Sequence, residues 1–159
     1  MLGFGDNTVD RFVDRGTDHP GGNCVNVAVY ARRLGLDAAC LGVFGDDDLG
    51  TFLRTAVTAQ GVAVDHSPVR RGGTSVSTLH VRDGDRVFLG YDEGGEAVRA
   101  PLVLDPGLLD YAASFALVHS SVHSRTEAEL PGLAAAGPLI SFDFSDEPEF
   151  RTPAYRAGT

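Results

Sequence analysis

Apolar positions along the chain fall into alternating strand-like and helix-like blocks. Leu2 to Gly5 reads as a short first strand. The segment Asn23 to Leu34 reads as a helix that opens after Gly21-Gly22 and has Gly35 at its C′ position. Ala38 to Phe44 is an apolar run suited to a buried strand. Leu49, Phe52, Leu53, Ala56 and Val57 then follow the i, i+3, i+4, i+7, i+8 pattern of an amphipathic helix, which Gly61 closes. Asp46-Asp47-Asp48 stands just before it, where carboxylates cap free N–H groups and meet the positive end of the helix dipole.

The middle of the chain has a different period. Thr74 to Arg82 alternates, and Arg86 to Tyr91 follows after Asp83-Gly84-Asp85, which is a β-hairpin signal. A hairpin inserted into a strand–helix chain suggests a flap or lid, and Val9 to Val13 is a candidate further strand for it. Alternation then resumes. Asp105-Pro106 opens a helix through Ala113, Phe115 to Ser120 reads as a strand, Thr126 to Ala136 as a weak helix, and Leu139 to Phe144 as a strand. Asp146 to Thr159 is polar, contains two prolines and predicts no regular element. The pattern predicts an α/β fold with a mostly parallel sheet and right-handed crossovers. In such sheets ligands bind beyond the carboxyl ends of the strands.

Composition narrows the function. The 159 residues carry a formal net charge of −9, which argues against nucleic-acid partners and against docking on an anionic membrane. No run of eighteen apolar residues and no secretory leader is evident, so the expected location is cytoplasmic. The two cysteines, Cys24 and Cys40, make neither a disulfide framework nor a zinc site. Cys24 reads either as a small packed residue or as a thiol acidified by the following helix. All 13 basic residues are arginine, so no lysine chemistry is available here.

The most informative stretch is Pro20-Gly21-Gly22-Asn23-Cys24-Val25-Asn26-Val27-Ala28. Two glycines before a helix permit close backbone approach to a ligand. Asn23 and Asn26 share one face of the first turn, and their amides suit a polyhydroxylated ligand. An ordinary turn with Asn23 as N-cap accounts for the same residues equally well. Gly21, Gly22, Asn26, Ala28, Gly35 and Gly45 fall in register with the first signature of the ribokinase-like, or PfkB, carbohydrate kinases, and the chain resembles that family. Cys24 stands where the signature has Gly, Ala or Pro. Gly5-Asp6-Asn7-Thr8-Val9-Asp10 resembles the family's opening strand, with Asp10 at its sugar-contacting acid, and Thr74 to Tyr91 resembles its β-lid. Within the family, these phrases and Gly84-Asp85-Arg86-Val87-Phe88-Leu89-Gly90 are most similar to members that phosphorylate fructosamines such as fructoselysine.

The resemblance implies a ribokinase-like, Rossmann-type sheet flanked by helices, with residues 1–145 as its sugar-binding portion, lid strands at about 9–16 and 74–91, and 146–159 as an irregular tail. It implies transfer of the ATP γ-phosphate to a sugar hydroxyl. By position the sugar contacts are Asp10, Gly22, Asn23 and Asn26, with Ser121 and His123 near places where other members put polar ligands. Asp6 is either a further contact or a turn acid, and Asp143 either an indirect magnesium partner or a cap. The family's second signature, Gly-Ala-Gly-Asp, supplies the catalytic base and the anion hole, and these 159 residues do not contain it. The Asn-x-x-Glu segment associated with magnesium and the adenine pocket are not found either. The expectation is therefore the sugar-side half of a kinase, inactive alone, with ATP and magnesium belonging to the intact family and no catalytic residue of its own. The alternatives are a non-catalytic sugar- or partner-binding relative, or a chain cut midway that folds poorly. A homodimer through the lid is a further expectation.

Overall fold

A computed structural model describes residues 1–153. Its central sheet is made of β1 (Leu2–Phe4), β4 (Ala39–Leu41), β9 (Leu117–Ser121) and β10 (Leu139–Asp143), in the order β10-β9-β1-β4. All three pairings are parallel, as the strand–helix alternation predicts. β1 lies between β4 on one side and β9 on the other, so the chain reverses its direction of travel across the sheet at β1.

Helices cover both faces. On one side α1 (Asn23–Arg33) and α2 (Asp48–Ala59) pack Val25, Ala28, Leu53 and Val57 against Cys40, Val62 and Val64. On the other, α4 (Pro106–Ala113) and α5 (Leu130–Ala136) pack Ala112 and Leu133 against Leu2, Phe4, Leu41 and Val118. Leu2 and Phe4 face one layer, while Gly3 between them faces α1. A Cβ at Gly3 would lie 2.2 Å from the Cys24 carbonyl oxygen, so glycine lets this helix sit directly on the strand. Phe4, Leu41, Leu53 and Leu133 are fully buried, each contributing about 1.5–3 kcal/mol of transfer free energy.

The single apolar run Ala38 to Phe44 is divided. β4 ends at Leu41, and β5 (Phe44–Gly45) pairs in parallel with β6 (Val69–Arg70) as a separate two-stranded ribbon. Gly42 stands at the break: a Cβ there would lie 2.3 Å from the Gly5 carbonyl oxygen, just past the paired ends of β1 and β4. α2 starts where the acidic run predicts. Asp47 is its N-cap and accepts from the Gly50 N–H at 2.8 Å.

The second sheet is the lid, in the order β3-β2-β7-β8. β2 (Thr8–Phe12) runs parallel to β7 (Val76–Arg82), and β8 (Asp85–Asp92) returns antiparallel to β7 through Asp83-Gly84, both at positive φ (51° and 85°). β3 (Thr17–Gly21) is an added edge strand that the pattern did not predict, because Thr-Asp-His-Pro-Gly lacks alternation and contains proline. Pro20 is tolerated there because β3 is an edge strand. One helical turn, α3 (Glu96–Arg99), follows β8. In the tail, Pro148–Arg151 forms a single 3-10 turn, and residues 154–159 of the predicted irregular segment lie outside the described residues. Among the described residues no helix is long and apolar enough to cross a membrane.

Candidate functional site

The carboxyl ends of β1 and β9, at the point where the sheet order reverses, open onto a cleft of about 640 Å³ roofed by the lid. Its floor comes from Gly5 to Thr8 and from the start of α1, its roof from Asp10, Ser77, Arg86, Phe88 and Tyr91. One wall is the turn after β9 and the other the segment after β8.

Asp6 organises the floor. Its Oδ1 accepts from the Ser121 and Ser124 hydroxyls, both at 2.8 Å, and its Oδ2 accepts from the Asn23 N–H. The Asp6 N–H donates to the Ser124 hydroxyl at 3.0 Å. The N-cap residue Gly22 has no side chain with which to cap α1, so a carboxylate from the end of β1 does so. Of the two readings of Asp6, contact or turn acid, the observed bonds support a positioning residue. It joins the end of β1, the start of α1 and the turn after β9.

The glycine pair is required by the chain's own packing. Gly22 has φ 101°, and a Cβ there would lie 2.7 Å from the Asp6 carbonyl oxygen and 2.8 Å from the Asn7 Cα. A Cβ at Gly21 would lie 2.4 Å from Asp10 Oδ1, so Gly21 makes room for the Asp10 carboxylate. The sequence leaves the glycine pair open between ligand approach and an ordinary turn. The structure shows that they bring the two backbones and Asp10 together.

Asp10, Gly22, Asn23, Asn26, Asp6 and His123 all line the cleft. Ser121 does not: it is fully buried, and its hydroxyl donates to Asp6. Its predicted place among the polar ligands is thus corrected to one beneath them. Asn23 is the first residue of α1 rather than its cap, and its Nδ2 donates to Asp143 Oδ2 at 2.8 Å. Asp143 Oδ1 accepts from the Ser145 N–H at 2.8 Å, so both of its oxygens are engaged within the chain. Asn26 lies one turn further along α1, and among the described residues its side chain has no hydrogen-bond partner. His123 lies edge-on to Phe150, with ring centroids 6.3 Å apart.

Electrostatics single out Asp10. Half-buried under the lid, its carboxyl is pushed above the ordinary range by desolvation, with the Arg86 guanidinium and His19 pulling in the other direction. A desolvated carboxylate with unused acceptor capacity binds hydroxyls strongly. Arg86, near the start of β8, stands in the sequence within the hairpin phrase Gly84 to Gly90 and has no assigned role there. Beneath the floor, burial pushes the Cys24 thiol far up, and Cys24 is a packed residue that donates to the Phe4 carbonyl at 3.1 Å. His119 is buried beside Ser141 and is pulled down by desolvation, partly opposed by Asp143 and Asp6.

The lid is tied to this floor at its root. Thr8 Oγ1 donates to the Ser75 carbonyl and Ser75 Oγ to the Asn7 carbonyl, both at 3.0 Å. Asp47, besides capping α2, accepts from the Thr74 N–H at 2.9 Å and the Thr74 hydroxyl at 2.6 Å. Desolvation raises its pKa, but the Thr74 hydroxyl and the Thr74 and Gly50 amides outweigh it and hold the carboxyl below the usual range. The acidic run predicted as capping and solvated surface therefore also anchors the lid.

Comparison with known proteins places this geometry. The profile of the pfkB family carbohydrate kinases matches residues 5–136. The chain is 38% identical over 144 residues to fructoselysine 6-kinase of Escherichia coli, covering 91% of this chain and 54% of that protein. It is 36% identical over 151 residues to a fructosamine kinase of Bacillus subtilis, covering 94% and 52%. The Arabidopsis thaliana ribokinase complexed with ribose and ATP superposes with a TM-score of 0.75 at 17% identity, covering 89% of this chain and 52% of that one. The chain spans about half the length of the curated relatives it matches.

Proposed function

This chain belongs to the pfkB family of carbohydrate kinases, and we propose that it forms the sugar-binding half of an ATP-dependent kinase whose acceptor is a hydroxyl of a fructosamine of the fructoselysine type. The observation that carries this reading is the juxtaposition, under one lid, of the half-buried Asp10, the Gly22 backbone and the Asn26 amide. Asp10 accepts from sugar hydroxyls and Asn26 offers both a donor and an acceptor. Asn23, held by Asp143, presents its remaining polar atoms to the same ring. Arg86, Phe88 and Tyr91 close over the sugar and exclude water.

In this reading the chain orients the attacking hydroxyl, and bound ATP supplies the phosphoryl group. Phosphoryl transfer depends chiefly on positioning and electrostatic stabilisation. Among the described residues no group of three or more His, Cys, Asp and Glu side chains gathers as a metal site, and Asp143 is engaged by Asn23 and Ser145. Asp143 would meet magnesium through water, the metal's remaining ligands coming from phosphate, and no step runs through it here. The Gly-Ala-Gly-Asp base segment is likewise not among the 159 residues, so these residues on their own are expected to show negligible turnover. The lid also presents Val87 and Leu89 on the face away from the cleft, exposed by 37% and 53%, a surface on which two copies could pair.

Calorimetric titration with fructoselysine, fructose and ribose tests the proposal. The expected result is fructoselysine binding that Asp10→Ala and Asn26→Ala abolish. Absence of binding to any of the three sugars would refute it. A coupled assay detecting ADP release by the 159 residues alone would refute the expectation of inactivity.

A further inference from the structure

The outer wall of the cleft carries a charged cluster that the sugar contacts leave unused. Glu93 follows β8, Arg99 ends α3, and Arg125 follows the turn after β9 at φ 55°. Glu93 Oε2 accepts from Arg99 Nη1 at 2.5 Å, and its Oε1 accepts from Arg125 Nη2 at 2.7 Å. All three residues line the same cleft as Asp10 and Asn26. Their side chains stay accessible, at 42% for Glu93, 46% for Arg99 and 50% for Arg125.

Such partly exposed ion pairs add little stability, so the cluster is poorly explained as a structural clamp. It is better explained as a preformed receptor. Each guanidinium has five donors in a rigid fork and directs one of them to Glu93. Glu93 orients the two forks, and the remaining donors are free to meet an anion from the cleft. Two cations against one carboxylate leave the cluster net positive within a chain of net charge −9. The complement of two arginines is a carboxylate, and the complement of the adjacent glutamate is an ammonium. The two together on one carbon are an α-amino acid head.

We propose that Glu93, Arg99 and Arg125 bind the α-amino acid head of the substrate, making the cleft selective for fructosyl amino acids over free sugars; this rests on the sugar-binding reading above. The spacing agrees. Asp10 is in register with Ser77, and Ser77 with Tyr91, across three adjacent lid strands. At about 4.8 Å per strand, Tyr91 lies about 10 Å from Asp10, and Glu93 is two residues further on. In fructoselysine six bonds join sugar C1 to the lysine Cα, an extended reach of roughly 8 Å at about 1.5 Å per bond. With its sugar at Asp10, this substrate brings its head to the cluster.

The experiment compares three ligands by calorimetry on the same protein: fructoselysine, 1-butylamino-1-deoxyfructose, which keeps the sugar and the secondary amine but lacks the head, and fructose 1-phosphate. Fructoselysine is expected to bind at least about tenfold tighter than the butylamine analogue. Arg99→Gln and Arg125→Gln are each expected to remove most of that advantage while leaving the analogue's Kd unchanged. Equal affinity for fructoselysine and the analogue overturns the proposal and leaves the sugar reading standing. Failure of both to bind overturns the sugar reading and this proposal with it. Fructose 1-phosphate binding tighter than fructoselysine, and weakened by the same substitutions, assigns the arginines to a phosphate and overturns the proposal. The comparison of ligands on the unsubstituted protein decides the matter even where a variant fails to fold.

Discussion

Two four-stranded sheets meet at the cleft, and they are stabilised differently. In the central sheet β1 and β4 are buried throughout and helices cover both faces. These two strands are held by desolvation on two sides, the usual condition of a parallel sheet, whereas the edge strand β10 is only partly covered. In the lid, β8 is exposed along its whole length, with Phe88 at 64% and Tyr91 at 61%. Its backbone ladder and a few bonds at its root hold it in place. The first sheet supplies a rigid floor and the second a surface that gains burial only when something fills the cleft. A ligand that filled the cleft would bury Phe88 and Tyr91 of the roof.

Four substitutions test that contrast, from the largest expected effect to the smallest. Phe4→Ala, in the doubly covered sheet, should cost about 3–5 kcal/mol in urea unfolding. A much smaller loss would mean that the central sheet is not the main store of stability. Asp47→Ala removes the α2 cap and the bonds to Thr74 together and should cost about 2 kcal/mol. Because the Asp47 carboxyl lies below its ordinary 3.8 when folded, its contribution is present above that value and is lost as pH falls through the lower folded value. The gap in melting temperature between wild type and variant should thus be full at pH 7 and narrow progressively as pH falls below 3.8. Asp10→Asn should abolish sugar binding yet leave the melting temperature unchanged or raised. The folded carboxyl is pushed above 3.8, so its ionisation opposes folding at neutral pH, and the amide removes that cost. A clear fall in melting temperature would contradict this. Phe88→Ala should change stability by no more than about 0.5 kcal/mol while weakening fructoselysine binding measurably. Equal losses from Phe4→Ala and Phe88→Ala would erase the distinction between the sheets.

Legibility in the sequence divides along the same line. Elements whose burial imposes a period, such as α2 with Leu53 and Val57, or β9, are readable because one desolvated face leaves a pattern. The lid hairpin is readable from Asp83-Gly84, which needs positive φ. β3 and β6 leave no pattern, since exposed edge pairing constrains hydrogen bonds rather than side chains. Asp10, Gly22, Asn23 and Asn26, which line the cleft, stand in two short motifs and are legible for that reason. Glu93, Arg99 and Arg125 are not, because charged residues up to 32 positions apart converge only in three dimensions. Ser121 was misplaced for a related reason: a strand-end serine points to the ligand or away from it according to the pleat and the turn that follows.

Asp6 also bears on the order in which the molecule assembles. Its partners Ser121 and Ser124 are 115 and 118 residues away, while Asn23 is only 17 away. The nearby bond closes a small loop, and the distant ones close a loop that spans most of the chain, at a greater entropic cost. Strand β1 and helix α1 can therefore meet early, but the cleft floor stays unlocked until β9 has been synthesised and docked. Competence to hold a ligand is a late event in the life of each molecule, and a nascent chain stalled before Ser124 would have the motif without the site.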